Sequence, residues 1–128
     1  MPIQYSLIQR VNPKDTTAPR KFYAIAKSSG EETTRQLASE ISKRNGLSIA
    51  DVYAVLEAFI DLIPERLADG KIVRLGDFGS FSLTLSSEGT ATAEEFTSAL
   101  IKGNSLNFRP GKLIQKALDT VDYAKVSD

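Results

Sequence analysis

The chain has no cysteine and no histidine. The first absence excludes a disulfide framework and a thiolate metal site, and makes a reducing compartment the simpler setting. The second removes the commonest general base and transition-metal ligand. No apolar run approaches the roughly 20 residues of a membrane span, and the N-terminus has no signal-peptide core, so the chain reads as soluble and intracellular. Charge of one sign is also missing, since sixteen Lys and Arg face sixteen Asp and Glu. A protein that binds nucleic acid without reading its sequence works by neutralising phosphates and ordinarily carries a basic excess. The balance is uneven along the chain: residues 1–30 hold five basic residues and one acidic, residues 31–70 four and eight, and residues 71–128 seven of each. Any basic surface is therefore local.

What is present is globular material: 128 residues, 41% hydrophobic and 25% charged, enough for one domain. Ile3–Val11 is β-prone, with Ile3, Tyr5 and Leu7 alternating onto one face, and Lys21–Lys27 is a second strand. Between them Asn12–Pro19 is loop chemistry with two prolines, so residues 1–30 are predicted to form a β-hairpin with a long basic loop. The cations Lys14, Arg20 and Lys21 are assigned there to solubility and protection of a strand edge. Glu31–Asn45 is predicted helical, with Leu37, Ala38 and Ile41 on its apolar face and Gly46 as its stop. Ser48 with Asp51 forms a capping box for a second helix. That helix carries Val52, Val55, Leu56, Phe59, Ile60, Ile63 and Leu67 at three- and four-residue spacings, and Pro64 loosens its last turn.

Next come two short β-type runs, Ile72–Leu75 and Phe81–Leu85, around a turn with Gly76 and Gly79 on either side of Phe78, which is read as a plug under the turn. Ser86–Ala93 is polar loop. Glu94–Lys102 is either a short helix capped by Thr92 or an irregular turn. Ser105–Arg109 is a short strand, and Pro110 opens a last helix with an apolar stripe of Leu113, Ile114, Ala117, Leu118 and Val121. The tail Lys125–Asp128 is expected to fray.

No catalytic constellation emerges. Without His or Cys, nucleophilic chemistry would need a Ser–Lys or carboxylate arrangement, and the acidic residues are spread over predicted helix surfaces. Gly76 and Gly79 lack both the dinucleotide-binding spacing and a Walker lysine–serine pair. No enzymatic activity, cofactor or metal is expected. A helix–turn–helix reader over residues 33–63 is disfavoured too. Its second helix carries Asp51, Glu57, Asp61 and Glu65, with no basic residue before Arg66, and would repel phosphate.

Gly70, Val73, Leu75, Phe78, Gly79 and Phe81, followed by Phe108, Arg109, Gly111 and Lys112, resemble the two motifs that enter and leave the arm of the HU/IHF family of histone-like DNA-bending proteins. The resemblance covers residues 33–121 and is nearest to a divergent HU-related branch with an added N-terminal segment. It implies an α+β fold: an intertwined dimer with two N-terminal helices, a β-sheet saddle with a modified arm, a C-terminal helix, and here an extra N-terminal β-hairpin. The expected organisation is one HU-like domain over 1–128, with residues 1–30 as the hairpin extension and 31–128 as the body. The implied partners are double-stranded DNA and a second chain, in a homodimer or a heterodimer with a related chain. The implied setting is the bacterial cytoplasm, at the nucleoid, without membrane contact.

Matched position by position, the DNA-binding residues are Arg74 beside the turn and Arg109, Lys112 and Lys116 at the exit. The arm departs from the family pattern. Residues 84–107 hold one basic residue, Lys102, against Glu88, Glu94 and Glu95, and no proline. The wedge between base pairs that the family's arm-tip prolines supply is absent. Two functions stay open: a weakly bending, sequence-nonspecific DNA-binding dimer, and an HU-fold scaffold that has lost DNA binding.

Overall fold

The structure is a computed structural model that describes residues 2–126. The chain divides into two compact units, one running to Thr33 and resuming at Ala117, the other spanning Thr34–Lys116. No helix among the described residues is long and apolar enough to cross a membrane.

The first unit is a three-stranded sheet. Strand β1 (Ile3–Arg10) lies between β2 (Lys21–Lys27) and β6 (Tyr123–Lys125). β1 and β2 run antiparallel from Gln4 opposite Lys27 to Arg10 opposite Lys21. β6 pairs in parallel, Ile3 with Tyr123 and Tyr5 with Lys125, and the Val126 amide donates to the Tyr5 carbonyl at 2.8 Å. The expectation of a frayed tail therefore fails at Lys125 and Val126, while Ser127 and Asp128 lie outside the described residues. Three residues are too short a run to announce a strand in sequence, and the ladder to β1 supplies what propensity does not. This makes a checkable dependence. A chain beginning at Glu31 removes the only strand that β6 pairs with among the described residues. The amides of Tyr123–Val126 are then expected to lose their protection in hydrogen exchange.

The second unit begins with a helical hairpin, α1 (Thr34–Asn45) and α2 (Ile49–Ala68). α1 starts three residues later than predicted, so Glu31 and Glu32 precede it and its first turn holds no acid. Ser48 caps α2 by accepting the Asp51 amide at 3.1 Å. At the other end Lys71 donates to the Arg66 carbonyl at 3.1 Å and Gly70 to that of Leu67 at 3.0 Å, the bond pair of a Schellman motif. Ala38, Val52 and Leu67 are the buried apolar residues, and Leu56 and Ile63 are half-buried. The rest of the α2 stripe is open within this chain: Val55 is 67% exposed, Phe59 42% and Ile60 46%. An apolar stripe this wide on a helix ordinarily faces a packed surface.

The sheet of this unit has the order β3 (Val73–Arg74), β4 (Gly79–Ser87), β5 (Ile101–Pro110), all antiparallel. β4 and β5 are longer than their apolar content predicts. Each continues outward as a two-stranded ribbon, with a register shift between Ser86 and Ser87. Of the two readings of Glu94–Lys102, the irregular turn is the one found: two single 3₁₀ turns, Ala93–Glu95 and Ser98–Leu100, with no side-chain cap from Thr92. Ile101 and Lys102 belong to the strand, which the Glu88 amide holds at its outer end through the Leu100 carbonyl at 3.0 Å. Pro110 closes β5 rather than opening a helix, and α3 runs Lys112–Asp119, short of Val121.

Candidate functional site

Register decides which side chains share a face. Arg74 pairs with Ser80, and Ser80 pairs with Arg109, so the two arginines flank one serine in a single row across three strands. Directly opposed residues point to the same side of a sheet, and neighbouring strands lie about 4.8 Å apart, so the arginine backbones stand about 10 Å from each other. Both are exposed, and neither is in an ion pair among the described residues. A shallow recess of about 230 Å³ lies here, lined by Arg74, Gly76, Gly79, Ser80, Arg109, Pro110 and Gly111. Lys112 and Lys116 follow on α3, one turn apart and both exposed. The structure thus brings Arg74 and Arg109 together directly, and sets the two lysines on the helix that leaves the same strand. Asp77, in the 3₁₀ turn Gly76–Phe78, is an exposed carboxylate in the connection between β3 and β4.

The row is held by a tight joint between that turn and the end of β5. The Gly111 amide donates to the Phe78 carbonyl at 2.9 Å, and Leu75 donates to Gly79 at 2.9 Å. Gly79 has φ +148°, and a Cβ there would meet the Arg109 carbonyl at 2.6 Å and the Phe108 ring at 2.8 Å. A Cβ on Gly111 would strike the Asp77 carbonyl group. Phe78, Phe81 and Phe108 pack beneath the row, with ring centroids 5.8 Å apart for Phe78–Phe108 and 4.8 Å for Phe81–Phe108. Phe78 is nevertheless 44% exposed in this chain, so it is only half the plug that the sequence implied. Gly111→Ala is expected to cost about 2 kcal/mol, since the neighbour is backbone and cannot swing aside. Gly103→Ala, where a Cβ meets nothing within 4 Å, serves as its control in urea denaturation.

The sequence reading missed how the row continues. Beyond it, Ser82 faces Asn107, Thr84 faces Ser105 and Ser86 faces Gly103, a small polar face without charge. The opposite face pairs Phe81 with Phe108 and Leu83 with Leu106, and carries Leu85 beyond them. The signal was the strict alternation of Ser80, Ser82, Thr84 and Ser86 with Phe81, Leu83 and Leu85, a period of two. Among the described residues, the one ion pair of the ribbon joins Lys102 to Glu88 at 3.7 Å, so its one cation already has a partner.

A helical hairpin followed by a three-stranded antiparallel sheet with a projecting ribbon and a terminal helix defines an HU-type fold, and known structures agree. HU from Anabaena crystallised with DNA superposes with a TM-score of 0.55 at 19% identity, over 70% of this chain and 99% of that one. An HU variant from Thermotoga maritima gives 0.51 at 23% identity, over 68% and 99%. A protein of Bacteroides vulgatus gives 0.61 at 14% identity and covers 98% of this chain, which spans about half (49%) of that protein's length. In sequence, the integration host factor alpha subunit of Colwellia psychrerythraea is 31% identical over 91 residues, 68% of this chain and 92% of that subunit. The alpha subunit of Paramagnetospirillum magneticum is 32% identical over 97 residues, 73% and 90% respectively. Residues 1–125 match the family described as an HU domain fused to a winged helix–turn–helix, Ig or glycine-rich motif, and the chain belongs to that family.

Proposed function

We propose that the chain is a dimeric, sequence-nonspecific DNA-binding protein that contacts the phosphate backbone through the Arg74–Ser80–Arg109 row and the α3 lysines. The observation that carries this reading is the row itself: two exposed arginines without an ion pair among the described residues, in register on one sheet face. Membership of an HU family and likeness to integration host factor subunits and to an HU–DNA complex support DNA as the ligand. The second chain is a copy of this one or a related chain. Its role is to cover Val55, Phe59 and Ile60, which a single chain leaves open. The ribbon holds one paired cation and no proline, so DNA bending is weak compared with that of arms that wedge between base pairs. The setting that follows is the bacterial nucleoid. No catalytic step is assigned.

A titration of short duplex DNA against salt tests the reading. A dimer presents about eight cations from Arg74, Arg109, Lys112 and Lys116, and if about half meet a phosphate the slope of log affinity against log salt is near −4. A second reading, an HU-fold scaffold without DNA binding, is favoured by the zero net charge and by the uncovered ribbon face, where Leu85 is 67% and Leu106 57% exposed. Absence of binding at about 50 mM salt, where phosphate contacts are strongest, would transfer the protein to that reading.

A further inference from the structure

The N-terminal hairpin holds a second basic site that the saddle does not involve. Its loop and strand ends enclose a recess of about 560 Å³, lined by Arg10, Val11, Asn12, Pro13, Ala18, Pro19, Lys21 and Tyr23. That volume falls in the range of about 300–1,000 Å³ typical of small-ligand sites. Three features set it apart from an ordinary solvated loop.

The first is charge. Arg10 and Lys21 are direct cross-strand partners, so two cations face each other on one side of the ribbon. Like charges in that position destabilise a hairpin unless an anion lies between them. Among the described residues neither is in an ion pair, nor are the nearby Lys14, Arg20 and Lys27. The one acidic residue of the segment, Asp15, is engaged elsewhere. Its carboxylate accepts the Thr17 hydroxyl at 2.6 Å and the Thr17 amide at 3.0 Å, which holds its pKa below the ordinary value.

The second feature is an aromatic ring on the same face. Tyr23 pairs with Ile8, two residues along from the Arg10–Lys21 pair and so on the same face, and is 49% exposed. The third is order. The loop's own bonds shape the recess: the Asp15 amide donates to the Asn12 carbonyl at 3.1 Å, the Lys14 amide to the Asn12 Oδ1 at 3.0 Å, and the Ala18 amide to the Asp15 carbonyl at 3.2 Å.

Paired cations beside an exposed ring suit a ligand with an anion and a flat face. We propose that the recess binds an unpaired nucleotide of single-stranded nucleic acid, with its phosphate between Arg10 and Lys21 and its base stacked on Tyr23. In duplex DNA the base faces are occupied by their neighbours, so the stack requires an unpaired base. An acidic peptide would satisfy the cations but leave the ring without a partner. The site uses none of the saddle residues and stands whether or not the saddle binds duplex.

The test uses the full chain and a fluorescently labelled short oligothymidylate, titrated from about 50 mM salt upward. The double variant Arg10→Gln, Lys21→Gln is expected to weaken binding about tenfold and flatten the salt slope by about 0.7, the value for one neutralised single-strand phosphate. Removing facing like charges relieves a repulsion, so this variant folds at least as well as the parent, which a thermal melt verifies. Tyr23→Leu is expected to weaken binding about tenfold while leaving the salt slope unchanged, because stacking releases no counterions. In an Arg74→Ala, Arg109→Ala background, which removes phosphate contacts made at the saddle, the loss on Tyr23→Leu is expected to persist at about tenfold.

Undiminished binding by the Arg10, Lys21 double variant would overturn the site. So would equal affinity for a polyglutamate peptide, or a Tyr23→Leu change that has no effect in the saddle-variant background. Loss of duplex binding alone in the parent protein, with single-strand binding retained, supports the hairpin site and overturns the saddle reading.

Discussion

Phe59→Asp is expected to leave no folded protein at micromolar concentration. Phe59 sits in the middle of α2, and its ring is 42% exposed in the single chain, beside Val55 at 67% and Ile60 at 46%. Burying each such side chain against a partner contributes roughly 1.5–3 kcal/mol. Among the described residues of one chain, only Ala38, Val52 and Leu67 form the buried apolar core, too small a core to hold a domain of this size. In the proposed dimer folding and assembly are one equilibrium, in which the covered face supplies a large part of the stability. A carboxylate in that face is buried without a partner, at several kcal/mol, against a total stability of about 5–15 kcal/mol. Circular dichroism should show a broad loss of helix, while sedimentation of the parent chain gives about twice 14.0 kDa. A folded, monomeric Phe59→Asp variant, or a parent chain that sediments as a monomer, would defeat the assembly reading.

Arg74→Ala combined with Arg109→Ala is expected to remove about a hundredfold of duplex affinity at about 50 mM salt. If half of the saddle's phosphate contacts are lost, the slope of log affinity against log salt falls from about −4 to about −2, and the deficit grows as salt is lowered. The loss should be alike for every duplex sequence, because contacts to phosphate carry no base information. Both residues are exposed, and neither is in an ion pair among the described residues, so the variant should keep the parent's melting temperature within a few degrees. A sequence-dependent loss would instead point to base contacts, and an unchanged slope would remove the row from the interface.

Much of the fold could be read before the structure. The capping serine, the three- and four-residue spacing of α2 and the glycines around Phe78 are local signals. They lie within a few residues of one another and need no long-range partner to act. The hairpin strands were legible for the same reason. Arg74, Arg109, Lys112 and Lys116 were reached by matching motifs, but their grouping was not. That Arg74 and Arg109 share a face follows only from the register of three strands, and Ser80 between them gave no separate sign.

Elsewhere local reading failed in a consistent way. β4 and β5 extend well past their apolar cores because each outer residue gains its backbone bonds from the opposite strand. The segment near Glu94, which the sequence left open between a short helix and an irregular turn, takes two 3₁₀ steps because both its ends are anchored in that ribbon. β6 forms because β1 offers an open edge.

The sequence by itself determined the absence of thiol and imidazole side chains, the helical hairpin, and the balance of charge that denies the chain a broadly basic surface. These depend on residue type and on spacings within a turn or two. Tertiary structure alone decided which cations face one another: Arg74 with Arg109 across Ser80, and Arg10 with Lys21 across the hairpin. Strand register sets those pairings, and a shift of one residue would send each side chain to the opposite face.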